Sequence, residues 1–424
     1  MRGDFMINIS QHKTKIIAVS IAILAALLAT AIVITIILYP TSTVKLSSGG
    51  VLDVNDQTSS APEIIVSKED ATSSLEVIVS SESSTISSAP QATSRPEQTI
   101  PSDLTSITPM QSKHPVSEDS DTFDITLSFV GDMILATNKD SYYADSFRDY
   151  AATRDHSYFL EKVRHVFEAD DFTIANVENV FSDRPLTHVY KDYDPAFWFI
   201  SPAANINILA NSSVEGAMIA NNHIRDYGQE GYLDSVQAIT NSGMQYGDAS
   251  RIMYFEKGGY VVSVICSGLW SESQANTIIN LMKTAQQHSH YQVVLFHGGT
   301  EKIHEPEEWK RRAARKLVDN GADLVVGGHP HVLQPREIYN GVEIVYSVGN
   351  FCYGGHRYPE NRTVIYQMTL TVGKDLSLNS SQSNIIPCYV YTGSINNFQP
   401  AIVEDETIKN RILDFMNGII GSPV

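Results

Sequence analysis

Leu324-Val325-Val326-Gly327-Gly328-His329-Pro330-His331 joins a short apolar run to two glycines and a His-x-His pair. An apolar run of that length, bounded by glycine, reads as a strand buried on both faces, as in sheets covered by helices. The stretch before it agrees. Residues 306–320 carry a helical pattern with Pro306 at the start and Gly321 just past the end, the punctuation a helix prefers. Helix, strand and polar cluster together make one unit of an α/β fold.

The same unit recurs from about Phe123 onward. Strands are predicted at residues 125–130, 172–176, 214–220, 261–267, 293–296 and 324–326, and helices at 158–168, 203–211, 231–241 and 306–320. Almost every predicted strand runs into Asp, Glu, Asn or His with glycine nearby. The clusters are Gly131-Asp132, Asn176-Val177-Glu178, Asn221-Asn222-His223 with Asp226 and Gly228, His297-Gly298-Gly299-Thr300-Glu301, and Gly328-His329-Pro330-His331. Sites in open α/β sheets are assembled at the carboxyl ends of strands, so five strand ends are expected to converge on one spot. Further β-rich runs at 337–348, 363–372 and 385–391 argue against a purely parallel sheet.

Composition divides the rest of the chain. The 24 residues 16–39 contain no charge and no proline, a length suited to a helix crossing a hydrocarbon core of roughly 30 Å. A cleaved signal peptide would have a shorter apolar region followed by small residues, whereas Ala29 and Ala31 fall inside this run. Arg2, Lys13 and Lys15 precede it and the next basic residue is Lys45, which puts residues 1–15 in the cytoplasm and the rest outside the cell membrane. Residues 41–120 lack Phe, Trp and Tyr, and Ser and Thr fill 29 of those 80 positions. Residues 40–121 therefore read as a disordered linker that cannot build a core, and 122–424 as the extracellular folded domain. The net charge of -18, from 30 basic and 48 acidic side chains, excludes general nucleic-acid binding, which needs cations to replace counterions. Three cysteines, Cys266, Cys352 and Cys388, allow at most one bridge, so stability is expected from an ordinary core.

Imidazoles with carboxylates and amides form a mixed N/O donor set suited to Zn, Mn, Fe or similar divalent metals. The ordered series Gly131-Asp132-Met133-Ile134, Ala175-Asn176-Val177-Glu178, Ala220-Asn221-Asn222-His223 through Asp226-Tyr227-Gly228, His297 to Glu301, Gly328 to Gln334, and Tyr346-Ser347-Val348-Gly349-Asn350-Phe351 closely resembles the CapA family. These are bacterial capsule synthesis proteins associated with poly-γ-glutamate and built on a calcineurin-like metallophosphoesterase fold. The resemblance covers about residues 123–395 and implies a four-layer αββα sandwich of two mixed β-sheets with one or two divalent metal ions. It implies that Asp132 and His331 serve one metal, that Asn222, His297 and His329 serve a second, and that Glu178 bridges them. His223 matches the histidine that protonates the leaving group, with Asp226 beside it, while Asn221, Glu301 and Asn350 are implied as supporting residues.

The chain departs from that pattern in two places. Ile134 stands where metallophosphoesterases carry the histidine of Asp-x-His, and Gly298 and Gly328 replace a tryptophan and a histidine common in the family. The leading reading is phosphoester hydrolysis, with two others open: a non-catalytic component that binds, exports or anchors an anionic capsule polymer, and metal-dependent cleavage of an amide or polymer bond. Membrane-embedded capsule synthesis proteins are the partners this context implies. P-loop and nucleophile-elbow motifs are absent, and His304-Glu305 lacks the second histidine of H-E-x-x-H. Lys310, Arg311, Arg312, Arg315 and Lys316 read as the solvated face of a helix. That helix is also the one local place where a polyanion could be attracted.

Overall fold

The computed structural model describes residues 108–424. The expected cytoplasmic segment 1–15, transmembrane helix 16–39 and the linker up to residue 107 lie outside the described residues. Among the described residues no helix is long and apolar enough to cross a membrane.

Two mixed sheets form the domain. The first has seven strands in the order Met110–Gln111, Met253–Lys257, Tyr260–Gly268, Tyr291–His297, Leu324–Gly328, Val342–Val348 and Leu333–Tyr339. The second has eight, running Ala401–Ile402, Leu378–Tyr389, Thr363–Gly373, Thr122–Ile134, Phe172–Val177, Gly216–Met218 and Gln245–Gly247, with Asn350–Tyr353 also paired to Thr122–Ile134. Side chains alternate across a strand, and here both faces are apolar. Val293 and Leu295 enter a core shared by the two sheets, together with Phe129, Ile174 and Val326. Their neighbours Val294 and Phe296 face the helices Ala275–Ala285 and Glu308–Asp319, against Ile278, Met282, Ala313 and Leu317. On the far side Val130 and Ala175 meet Phe147, Phe167 and Ile239 from Phe147–Thr153, Arg164–Ala169 and Gly228–Asn241. Helix, sheet, sheet and helix therefore stack because the central strands have no polar face.

Several expectations need correction. The predicted helix 158–168 is a short 3-10 turn, His156–Tyr158, followed by Arg164–Ala169, and the run 337–348 is a hairpin whose strands turn at Asn340-Gly341. The linker does not extend to residue 121. Met110 and Gln111 pair with Phe255 and Glu256, Lys113 reaches Asp170 at 3.1 Å and Glu215 at 3.0 Å, and Val116 packs on the inter-sheet core. An edge strand offers unpaired backbone groups to any segment that reaches it, so two apolar side chains and one lysine suffice where average composition pointed to disorder. The basic helix is a solvated face with one exception. Lys310 is buried, Arg312 and Arg315 pair with Glu272 and Glu337 at 2.8 Å each, and Arg311 pairs with Glu305.

Two backbone features set the strand ends. Pairing between Thr122–Ile134 and Phe172–Val177 slips between Val130 and Asp132, which brings Asp132 level with Asn176, a bulge of the kind that re-aims side chains at sites. Gly131 is needed there, since a Cβ would lie 2.0 Å from the Gly349 carbonyl oxygen.

Candidate metal centre

All five predicted clusters meet at one end of the two sheets. Asp132 is fully buried and accepts from the Asn176 amide at 2.7 Å and from the His329 backbone N–H at 2.9 Å. Asn221 sets the next layer. Its oxygen accepts the backbone N–H groups of His223 and Ile224, so its amide nitrogen donates to Asn176 at 3.1 Å. The Asn176 nitrogen is thereby turned toward Asp132 and toward Nδ1 of His297, 3.0 Å away. Asn176 therefore belongs to the centre, although its cluster suggested only Glu178 as a ligand.

Nε2 of His297 lies 2.7 Å from the Asn222 oxygen, 3.3 Å from Glu178 and 3.1 Å from Nδ1 of His329. His331 faces Asp132 at 3.1 Å and the Asn350 oxygen at 2.9 Å through the same nitrogen, and the Asn350 amide returns a bond to the His331 carbonyl. His329 and His331 have φ of 92° and 58°, left-handed conformations that cost about 1–3 kcal/mol each for residues other than glycine. The surrounding bonds hold both residues in place. Ligand atoms of Asp132, Glu178 and His331 lie within 4.8 Å of one another, and so do those of Glu178, His297 and His329. Glu178 belongs to both groups. A third group joins Glu301 to His329 and His331, which brings this exposed carboxylate to the edge of the centre.

His223 stands at the side. Its Nδ1 is 2.8 Å from Asp226, and its Nε2 is 3.9 Å from Glu178. Asp226 also accepts the Phe199 backbone N–H at 2.8 Å and pairs with Lys191 at 2.7 Å. Asp226 does not cap the following helix, whose cap position is Tyr227, with no side-chain bond. Ile134 is buried against Ala136, Phe199, Tyr353 and Val390, away from any ligand role.

A family model described as bacterial capsule synthesis protein PGA_cap matches residues 126–354. The chain belongs to this family. It is 28% identical over 270 residues to the PGA biosynthesis protein CapA of Bacillus subtilis strain 168, covering 58% of this chain and 68% of that protein. It is 22% identical over 317 residues to the capsule biosynthesis protein CapA of Bacillus anthracis, covering 68% and 72%. A crystal structure of a Thermus thermophilus protein aligns with 62% of this chain and 99% of its own at a TM-score of 0.34 and 11% identity, a likeness too slight to bear on the fold.

In this PGA_cap chain, two residues near the centre carried no sequence signal of the kind sought. Trp270 packs edge-on against His329 with ring centres 4.8 Å apart, and Lys191 holds Asp226. The first follows a strand that ends at Gly268, with only Leu269 between them and no polar cluster to mark it, and the second comes from a loop remote in sequence. The three cysteines are free and buried.

The donors fit a divalent cation. Both oxygens of Glu178 are buried without a hydrogen-bond partner, an arrangement that costs free energy unless a cation or proton satisfies them. Burial pushes the Glu178 carboxyl up to about 8, countered by His331. Burial also holds His297 down to about 3 and His329 down to about 2, so both rings stay neutral and able to ligate. His331 goes the other way. Burial opposes its charge, yet Glu178 and Asp132 raise it to about 9.

Near neutral pH the buried Glu178–His331 pair therefore retains protons in the metal-free centre, burial favouring the Glu178 acid and Asp132 favouring the His331 cation, and a divalent ion must displace them. The metal-bound state holds fewer protons, so affinity rises with pH and is lost as pH falls. Mn2+ titrations are expected to show roughly ten- to a hundredfold tighter binding per pH unit through pH 7 and 8, levelling above about 9. Affinity that is flat over this range would show that these two groups do not ligate.

Proposed function

We propose that this PGA_cap family chain is a divalent-metal phosphoester hydrolase of capsule synthesis, working on the outer face of the membrane. The observation that carries the reading is Glu178, a buried carboxylate with two unpartnered oxygens shared by two ligand groups. Asp132 and His331 would hold one cation with it, and His297, His329 and Asn222 a second. Such ions polarise a phosphoryl oxygen and lower the pKa of bound water.

The chain's own residues supply the rest. Nδ1 of His223 is engaged by Asp226, which leaves Nε2 to exchange a proton with the departing oxygen. Lys191 and the Phe199 N–H fix Asp226, and so fix the ring's tautomer and direction. A cleft of about 350 Å³ lined by Phe197, Phe199, Tyr353 and Tyr358 opens on His223 and His331, and gives the ester group a place to lie.

The test is metal content of the purified full chain by elemental analysis, beside His329→Ala and Asp132→Ala, followed by an aryl-phosphate assay. About two metals per chain, fewer in both variants, with hydrolysis that follows metal content, is the expected result. Metal-free protein at micromolar divalent ion would end this reading. A second reading, a non-catalytic component that holds the capsule polymer beside membrane-embedded partners, is favoured by Ile134. That residue is buried in apolar contacts and leaves the Asp132 group with three protein ligands. Metal binding without turnover, together with polymer binding that survives His223→Ala, would select it.

A further inference from the structure

Lys310 is fully buried and sits in the first turn of Glu308–Asp319. A cation there is unfavourable twice, through desolvation and through the positive end of the helix dipole. Burial pushes its ammonium down to about 7, against the pull of Glu307 and Asp132. Its partners show what it holds. Nζ donates to the Gln334 oxygen at 2.8 Å, and the Gln334 amide donates to the Ile303 carbonyl at 2.7 Å. The loop so gripped, residues 298–304, is also tied by Thr300 donating to Glu307 at 2.6 Å and by the Lys302 N–H donating to the Pro330 carbonyl at 2.7 Å. Gly299, at φ +113°, makes room for the ammonium, since a Cβ would lie 2.8 Å from Nζ. The loop carries Glu301, whose carboxylate groups with His329 and His331.

We infer that Lys310 is a positioning residue of the metal centre, acting through Gln334 to hold the 298–304 loop so that Glu301 is presented to the cation side of His329 and His331. The inference rests on the proposal that the centre binds divalent metal. Lys310→Met keeps the shape but leaves the buried Gln334 oxygen without a donor, so the amide is free to turn and release Ile303. Gln334→Glu breaks the same link differently. It keeps an acceptor for Lys310 and cannot donate to Ile303, so it serves if Lys310→Met does not fold.

The experiment is Mn2+ titration of the full chain as wild type, Lys310→Met, Gln334→Glu, Glu301→Gln and the Lys310→Met/Glu301→Gln double variant, each with a melting curve. Each single variant is expected to weaken Mn2+ binding about tenfold, the scale of an outer-shell loss. The double variant should bind no more weakly than Glu301→Gln alone, because both changes remove one contribution. A merely structural lysine would lower the melting temperature and multiply with Glu301→Gln. Losses that multiply, or wild-type affinity in Lys310→Met and Gln334→Glu, overturn the inference while leaving the metal centre intact. A wild type that binds no Mn2+ overturns both.

Discussion

Glu178→Gln is expected to weaken divalent-metal binding at least about a hundredfold, beyond the 10- to 100-fold typical of outer-shell changes, because both ligand groups share this side chain. Hydrolysis of an aryl phosphate should fall with the metal content. The same substitution separates ligation from folding. Glutamine keeps the shape and removes a carboxyl whose ionisation burial opposes, raising it to about 8. In chelator near neutral pH, the melting temperature should therefore hold or rise, since the wild-type carboxyl must take up a proton on folding and glutamine need not. A variant that melts lower in chelator and keeps full metal affinity would assign Glu178 to structure and leave the two-ion reading without its bridge.

His223→Ala is the second large effect, and it should leave metal content unchanged. Nε2 of His223 stands 3.9 Å from Glu178, and the ring belongs to none of the ligand groups among the described residues. Loss of a positioned general acid lowers kcat by about 10²–10⁴. The loss should depend on the leaving group, since a nitrophenolate departs without a proton and an alkoxide does not. An alkyl phosphate ester is therefore expected to suffer the full loss, and a nitrophenyl ester far less. Equal losses on both esters would place His223 in binding or structure instead of proton delivery.

The legible parts of this protein were those in which the local pattern carries its own physics. Continuous apolar runs at 293–296 and 324–326 became central strands, because a strand with no polar face must be covered on both sides. The clusters after those strands became the centre, because a strand's carboxyl end has one direction in the sheet and its polar residues follow it. Trp270 and Lys191 escaped because nothing local marks a side chain whose importance lies in its neighbour. Lys310 was misread for a related reason. Its position in a basic run suggests solvent, while Arg311, Arg312 and Arg315 face acids, Lys316 reaches the Asn276 oxygen, and this one turns under the 298–304 loop.

By itself the sequence determined the alternation of strand and helix, the polar residues at five strand ends and membership of a capsule synthesis family, since each is a property of neighbours along the chain. Only the tertiary structure decided that Glu178 is shared by two groups, that Asn176 and Asn221 fix Asp132 and His297, and that Met110, Gln111 and Lys113 belong to the domain. Those contacts join residues tens to hundreds of positions apart, and their geometry follows from how two sheets pack. No local propensity encodes it.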